Sequence, residues 1–91
     1  MASDRSDREL EKLFKALANK RRLAILRYLK PESATVGEIA QAIKLSIKAT
    51  SRHLQILSAA GYLTSEQQGL YVRYTLEPRV EATRLLKATS L

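Results

Sequence analysis

The sequence predicts a mainly α-helical domain with a β-hairpin, in the order ααααββα. Apolar residues recur at helical spacing until Gly61, after which the apolar period changes to two, as is typical of paired strands. Only three residues separate the third and fourth predicted helices, a gap typical of two helices packed as one unit. With 91 residues the chain has room for a single domain, predicted to span 1–91.

The first two helices are defined by their capping residues. Helix one is predicted over about 7–18, with Asp7 as its N-cap. Helix two is predicted over about 20–30, because Asn19 can cap its start and Pro31 ends it. In helix one the apolar residues that recur at helical spacing are Leu10, Leu13, Phe14 and Leu17, and in helix two the residues that face inward are Leu23, Ile25, Leu26 and Leu29.

Helices three and four form the unit with the short connection. Thr35 and Glu38 have the capping-box spacing, in which each side chain accepts from the other residue's amide, so helix three is predicted over about 35–43. Helix four is predicted over about 47–60, with Ser46 as its N-cap. Its helical pattern is Ile47, Thr50, Leu54 and Leu57, of which the last three share one side, opposite Lys48, Arg52 and Gln55.

The remaining chain predicts a hairpin and a last helix. The first strand covers 62–66, a turn follows at 67–69, and a second strand covers 70–76. Pro78 suits the first turn of a last helix that contains Val80, Leu85 and Leu86. A two-helix unit followed by a hairpin is typical of the winged helix-turn-helix, in which the second helix of the unit enters the major groove of DNA.

Positive charge is concentrated in one segment. The net charge is +7, and residues 20–30 contribute five cations without an acid. The stretch 46–60 adds Lys48 and Arg52, also unopposed. Cations at a helix N-terminus oppose the helix dipole, which favours phosphate contact by Lys20 and Arg21 over a merely solvated helix start. The sequence therefore favours a nucleic-acid partner.

Between Leu13 and Leu76 the chain resembles the ArsR/SmtB family of dimeric winged-helix repressors. This resemblance implies that helix four reads a palindromic operator in double-stranded DNA and that helix one and the last helix form a homodimer interface. It also implies a structural role for Arg22. The stretches that carry the resemblance are 17–26, 36–43, 51–57, 60–63 and Tyr74-Thr75-Leu76.

The candidate DNA contacts lie at the start of helix two, on helix four and in the hairpin. His53, the only histidine, has no thiol or acidic neighbours, so we expect a packing residue near a phosphate and not a metal ligand. The DNA-binding candidates are Lys20, Arg21, Ser46, Lys48, Ala49, Ser51, Arg52, His53, Gln55 and Arg73, and the dimer-interface candidates are Leu10, Leu13, Phe14, Leu17, Val80, Leu85 and Leu86.

In the hairpin, Tyr71 and Tyr74 can stack on bases, but strand tyrosines more often cover a core. Many relatives carry basic residues around the turn glycine, where this chain has Gln68 and Leu70. Insertion of the hairpin tip into the minor groove is therefore in doubt, and Arg73 is its only cation.

Metal, cofactor and enzyme functions find no support in the sequence. There is no cysteine, and the metal-ligand positions of the resembled family are occupied by Thr35, Gly37, Pro78 and Val80. No glycine-rich phosphate loop or activated nucleophile is present, so we expect no catalysis and no cofactor. No apolar run is long enough to span a membrane, so we expect a cytoplasmic protein without a membrane partner.

Two other functions stay open at this point. A winged helix can serve protein–protein assembly, which predicts an apolar outer side on helix four. A chromatin-like or RNA-binding protein would bind nucleic acid without sequence preference.

Overall fold

The computed structural model describes residues 4–78, with side chains from residue 7 onward. Within this range the chain forms four helices and three strands. The predicted last helix, with Val80, Leu85 and Leu86, lies outside the described residues. The elements are α1 (Asp4–Leu17), α2 (Lys20–Leu29), β1 (Ala34–Thr35), α3 (Val36–Ile43), α4 (Ile47–Ala59), β2 (Leu63–Gln68) and β3 (Tyr71–Leu76).

The N-caps of α2, α3 and α4 are confirmed. Asn19 accepts hydrogen bonds from two backbone amides in the first turn of α2. Thr35 and Glu38 form the capping box: the Thr35 amide donates to Glu38 Oε1 at 2.8 Å, and the Glu38 amide donates to Thr35 Oγ1 at 3.3 Å. Ser46 Oγ accepts from the Ala49 amide at 3.1 Å. Each cap satisfies amides that have no partner inside the helix, so these three helices begin where the sequence predicts.

The predicted start of helix one is wrong. The helix α1 begins at Asp4, so Asp7 lies inside it and is not its N-cap. No proline or glycine precedes Asp7 in the described range, so nothing in the backbone chemistry stops the helix from extending by another turn. The other helix ends lie within one residue of their predicted positions.

The hairpin is confirmed, and a further short strand joins it. Strands β2 and β3 pair antiparallel with Leu63 opposite Leu76, and β1 pairs with the other side of β3. The predicted order ααααββα therefore misses β1. This strand has only two residues, which are too few to show an apolar period of two. The strand β2 extends to Gln68, so the turn lies at Gly69 and Leu70 and not at 67–69 as predicted; Gly69 adopts a φ of +63° there.

The core lies between the helices and the sheet, and α4 contributes its predicted inner row. Thr50, Leu54 and Leu57 are all 0% exposed. Tyr74 packs against this core as expected, whereas Tyr71 is 66% exposed and covers nothing. The buried core residues are Ala16, Ile25, Leu26, Leu29, Ala34, Ile39, Leu54, Leu57, Tyr62, Leu63 and Leu76.

The start of the β2–β3 hairpin, which we call the wing, is tied to α1 by one buried side chain. Tyr62 is 6% exposed, and its hydroxyl donates to the Leu13 carbonyl at 3.0 Å. Burial raises the pKa of this phenol, so it remains a donor. On the other side of the same residue, the Glu77 amide donates to the Tyr62 carbonyl. The first helix and the end of the hairpin are thereby held at the same point of the core.

Leu54→Ala is expected to lower the unfolding free energy by about 2–5 kcal/mol, because it leaves a cavity in the centre of the core. Leu70→Ala provides the matched control, since Leu70 is 94% exposed and its loss should change stability by less than about 0.5 kcal/mol. Urea unfolding of both variants measures the difference. Equal losses for the two variants would contradict the placement of α4 in the core.

Candidate nucleic-acid interface

One side of α4 is exposed along its whole length and carries no acid. We call this side, made of Lys48, Arg52 and Gln55, the outer face of α4; all three side chains are exposed. They line a shallow open concavity of about 770 Å³ together with Ser46, Ala49 and Ser51. Six of the ten predicted DNA-binding residues therefore lie together on one surface.

The surroundings of this face are electropositive. No acidic residue occurs in the sequence between Glu38 and Glu66, a stretch that contains all of α4. The first turn of α4 also lacks an acid, although acids there would stabilise the helix dipole. The positive end of the helix dipole and the cationic side chains therefore lie together at the N-terminal end of α4, which favours the binding of an anion.

At the start of α2 the two predicted phosphate contacts have different environments. Lys20 is exposed. Arg21 is also exposed, but its Nη1 donates to the Ile43 carbonyl at 2.9 Å, at the C-terminal end of α3. That bond satisfies one of the carbonyls that lack a partner inside the helix, so Arg21 supports the connection between α3 and α4. The side chain is exposed, so its other N–H groups can still donate to a phosphate.

The half-buried Arg22 makes hydrogen bonds within the protein. Its Nε donates to the Ala16 carbonyl at 2.7 Å and its Nη2 to the Lys15 carbonyl at 3.1 Å, both in the last turn of α1. Its Nη1 lies 3.2 Å from Nδ1 of His53 on α4. Because a guanidinium only donates, Nδ1 must accept and the ring is neutral in this arrangement. The guanidinium therefore holds α1 against α4.

The half-buried His53 has its pKa lowered, first by burial and then by the charges of Arg22, Arg21 and Arg52. Its Nδ1 faces Arg22 and not the solvent. A phosphate contact by His53 stays a prediction, and only the other ring nitrogen is left for it.

Arg73 in the wing is also engaged inside the protein. Its Nε donates to Gln68 Oε1 at 3.1 Å, and its Nη1 donates to the Ser33 carbonyl at 3.2 Å. The charge of Arg73 contributes to the lowered pKa of Glu38, after the two hydrogen bonds that Glu38 receives from Thr35. The guanidinium braces the wing against the segment before β1, and a DNA contact by Arg73 stays a prediction.

Comparison with known proteins places this fold in a family. Residues 17–66 match the family described as a helix-turn-helix domain. The transcriptional activator HlyU from Vibrio cholerae is 41% identical over 64 residues, which cover 70% of this chain and 59% of that protein. The transcriptional repressor SdpR from Bacillus subtilis is 32% identical over 71 residues, which cover 78% of this chain and 79% of that protein.

The fold has a close counterpart among solved structures. A homodimeric winged helix-turn-helix DNA-binding domain from Mycobacterium bovis, described as a possible ArsR-family regulator, superimposes with a TM-score of 0.85 at 30% identity, covering 98% of this chain and 84% of that one. This chain belongs to the ArsR/SmtB family. Members of this family are transcriptional regulators and not enzymes, which agrees with the absence of catalytic motifs from the sequence.

Four of the seven predicted dimer residues of this ArsR/SmtB-type chain lie in the described range, and they divide into two pairs. Leu10 and Phe14, one helical turn apart on α1, are 50% and 52% exposed. Leu13 and Leu17 are half-buried and pack against the core of their own chain. Within the described range, the apolar side chains that α1 leaves open to another subunit are therefore Leu10 and Phe14.

Between residues 4 and 78, no group of three or more His, Cys, Asp or Glu side chains is placed to hold a metal ion. The same part of the chain contains no helix with the length and apolarity that crossing a bilayer requires. Regulation without metal stays a prediction for this family member.

One exposed residue of α4 was missed by the sequence pattern. Ile47 continues the apolar pattern of the helix, yet its side chain is 59% exposed. On a helical wheel Ile47 lies within about 20° of Leu54, seven residues later, so the wheel groups it with the buried row. Its place at the first position of α4 was the available signal.

His53 is expected to make stability depend on pH near neutrality. Since its pKa is lower in the folded chain than in the unfolded one, stability is lost as pH falls below the unfolded value of about 6.5. The unfolding free energy should therefore decrease between about pH 7.5 and 5.5, and His53→Gln should remove this decrease. Denaturant unfolding across that range measures it. A wild-type profile no steeper than that of the variant would contradict the lowered pKa.

Proposed function

We propose that this protein is a homodimeric transcriptional repressor that binds a palindromic operator in double-stranded DNA, in the cytoplasm and without control by metal. The observation that carries the proposal is the outer face of α4: Lys48, Arg52 and Gln55 are exposed on the second helix of a helix-turn-helix, and no acid lies within the helix. All three side chains can donate hydrogen bonds to base edges or phosphates. Of the two relatives, HlyU is described as a transcriptional activator and SdpR as a transcriptional repressor.

In the proposed complex α4 lies in the major groove. Arginine in the major groove most often pairs with O6 and N7 of guanine, so we assign base reading to Arg52. Lys20 and Arg21, at the start of α2, contact the phosphate backbone, which positions the protein without reading sequence. Arg21 adds a second role, because its bond to the Ile43 carbonyl couples this phosphate contact to the helix that precedes α4.

The dimer proposal follows from the apolar surface of α1. Leu10 and Phe14 expose about half of their side chains at adjacent turns, and a small domain gains much stability from burying such surface. Pairing with a second copy would also set two α4 helices about one DNA turn apart, at about 34–36 Å, which matches a palindromic operator. The similar domain from Mycobacterium bovis is described as homodimeric, which supports this assignment.

Control by a soft metal is not part of the proposal. Such sites need thiolates or clustered imidazoles, and this chain has no cysteine and one histidine. The histidine that is present is turned toward Arg22. An effector, if the protein has one, acts through different chemistry.

The alternative of a protein-interaction module is disfavoured by the same surface. It would require an apolar outer face on α4, where this chain places two cations and an amide. Binding without sequence preference is the remaining alternative, and the Arg52 experiment below separates it from the proposal.

Arg52→Ala is expected to cost about 1–3 kcal/mol on the operator and much less on random DNA, because a base contact is lost. Lys20→Ala should weaken binding to both DNAs alike and reduce the salt dependence by about one ion per subunit. Gel-shift titrations on the two duplexes at several salt concentrations measure both effects.

Lys12→Ala serves as the matched control, because Lys12 is an exposed cation on α1 that does not line the concavity along the outer face of α4. It should leave both affinities unchanged. Equal losses on the operator and on random DNA for Arg52→Ala would exclude base reading by Arg52. A wild-type protein that does not distinguish the operator from random DNA would overturn the proposed function.

Phe14→Glu is expected to shift the protein from dimer to monomer, because it places a charge in the proposed interface. Sedimentation equilibrium at micromolar concentration should give twice the chain mass of 10.2 kDa for the wild type and one chain mass for the variant. Leu70→Glu, in the hairpin turn, is the control and should remain dimeric. A wild-type protein that sediments only as a monomer would contradict the dimer.

A further inference from the structure

Ile47 is a large apolar side chain that the core of the described residues does not bury. It is the first residue of α4 and is 59% exposed, and it is not a member of the core cluster in the described chain. The neighbouring members of the same pattern, Thr50 and Leu54, are both 0% exposed. The stability of the fold therefore does not explain an isoleucine at this position.

The backbone around Ile47 is held in place. Ser46 precedes it as the N-cap and accepts from the Ala49 amide at 3.1 Å, so the first turn of α4 is closed by a hydrogen bond. Lys48 follows and is exposed. The first turn contains no acid, so a polyanion can approach this end of the helix without meeting a negative charge.

In a helix that lies in the major groove, the N-terminal residues are those that reach the base edges. Ile47 has no polar group on its side chain, so it can distinguish base pairs only by apolar contact. The C5-methyl of thymine is the apolar group that the major-groove edges of the four standard bases present. The chemistry of the side chain therefore selects one base.

We propose that Ile47 is a specificity-determining residue that packs against the C5-methyl of a thymine in each operator half-site. This inference rests on the proposed function and adds to it the identity of one base that the protein recognises. Thymine is favoured because the contact removes two apolar surfaces from water. Cytosine is disfavoured at the same place, because its C5 carries a hydrogen instead of a methyl group and offers less apolar surface to isoleucine.

The test removes the methyl group from the DNA and the side chain from the protein. The probe is the duplex most enriched by the wild-type protein from a randomised library, with each thymine replaced in turn by deoxyuridine, in both half-sites. Deoxyuridine pairs like thymine and lacks only the methyl. At one thymine position we expect the wild-type affinity to fall about fourfold per half-site, the value for one buried methyl.

Ile47→Ala should bind the unmodified duplex more weakly and show no further loss when that thymine is replaced. Ile47→Val, which keeps the branched side chain, should retain sensitivity to the replacement. Lys48→Ala is the matched control on the neighbouring residue: it should weaken binding, yet lose the same factor as the wild type at deoxyuridine. Circular dichroism of each variant checks that the helices are intact.

Three results would overturn the inference: an enriched duplex without thymine in the half-sites, a thymine scan without any sensitive position, or a sensitive position whose effect persists in Ile47→Ala. A library from which the wild-type protein enriches no sequence would overturn the proposed function itself. Failure of the inference and failure of the proposed function are therefore distinguished by the same experiment.

Discussion

The burial of one side of α4 is the constraint on which the rest of the interface depends. Thr50, Leu54 and Leu57 are 0% exposed, and they occupy positions four and three residues apart along the helix. Because an α-helix turns by about 100° per residue, burial of these three leaves the helix only one rotation about its axis. The outer face of α4 is the side that remains, so the packing of the core decides which residues can meet a partner.

The three consecutive cations at the start of α2 show how the fold gives different roles to similar side chains. Lys20 is exposed, Arg21 donates to the end of α3, and Arg22 donates to two carbonyls at the end of α1. Successive residues on a helix point about 100° apart, so each reaches a different neighbour. Two of the three satisfy carbonyls at helix C-termini, where a positive charge also complements the helix dipole. These three residues, which carry three of the five cations of residues 20–30, therefore stabilise the domain as well as offering charge to a partner.

The same principle applies to the wing. Arg73, the only cation of the hairpin, donates to Ser33 and Gln68 and thereby fixes the wing against the segment before β1. The short strand β1 adds backbone pairing to the same edge of β3. Arg73 and the two-residue strand β1 thus add to the buried residues Tyr62, Leu63 and Leu76 in positioning the hairpin, and Leu70 at its tip is 94% exposed.

The sequence by itself determined the helices α2, α3 and α4, the hairpin and the exposed side of α4, because these depend on local chemistry. Asn19, Thr35 and Ser46 cap helices through bonds that span two or three residues, and the period of the apolar residues orients α4. Only the tertiary structure decided which polar side chains are used internally. Arg22 bonds to residues six and seven positions away and meets His53 on another helix, while Arg73 reaches a residue forty positions away. A local pattern shows that a cation is present but not where its hydrogen-bond acceptor lies, because that distance is set by how the helices and the sheet pack.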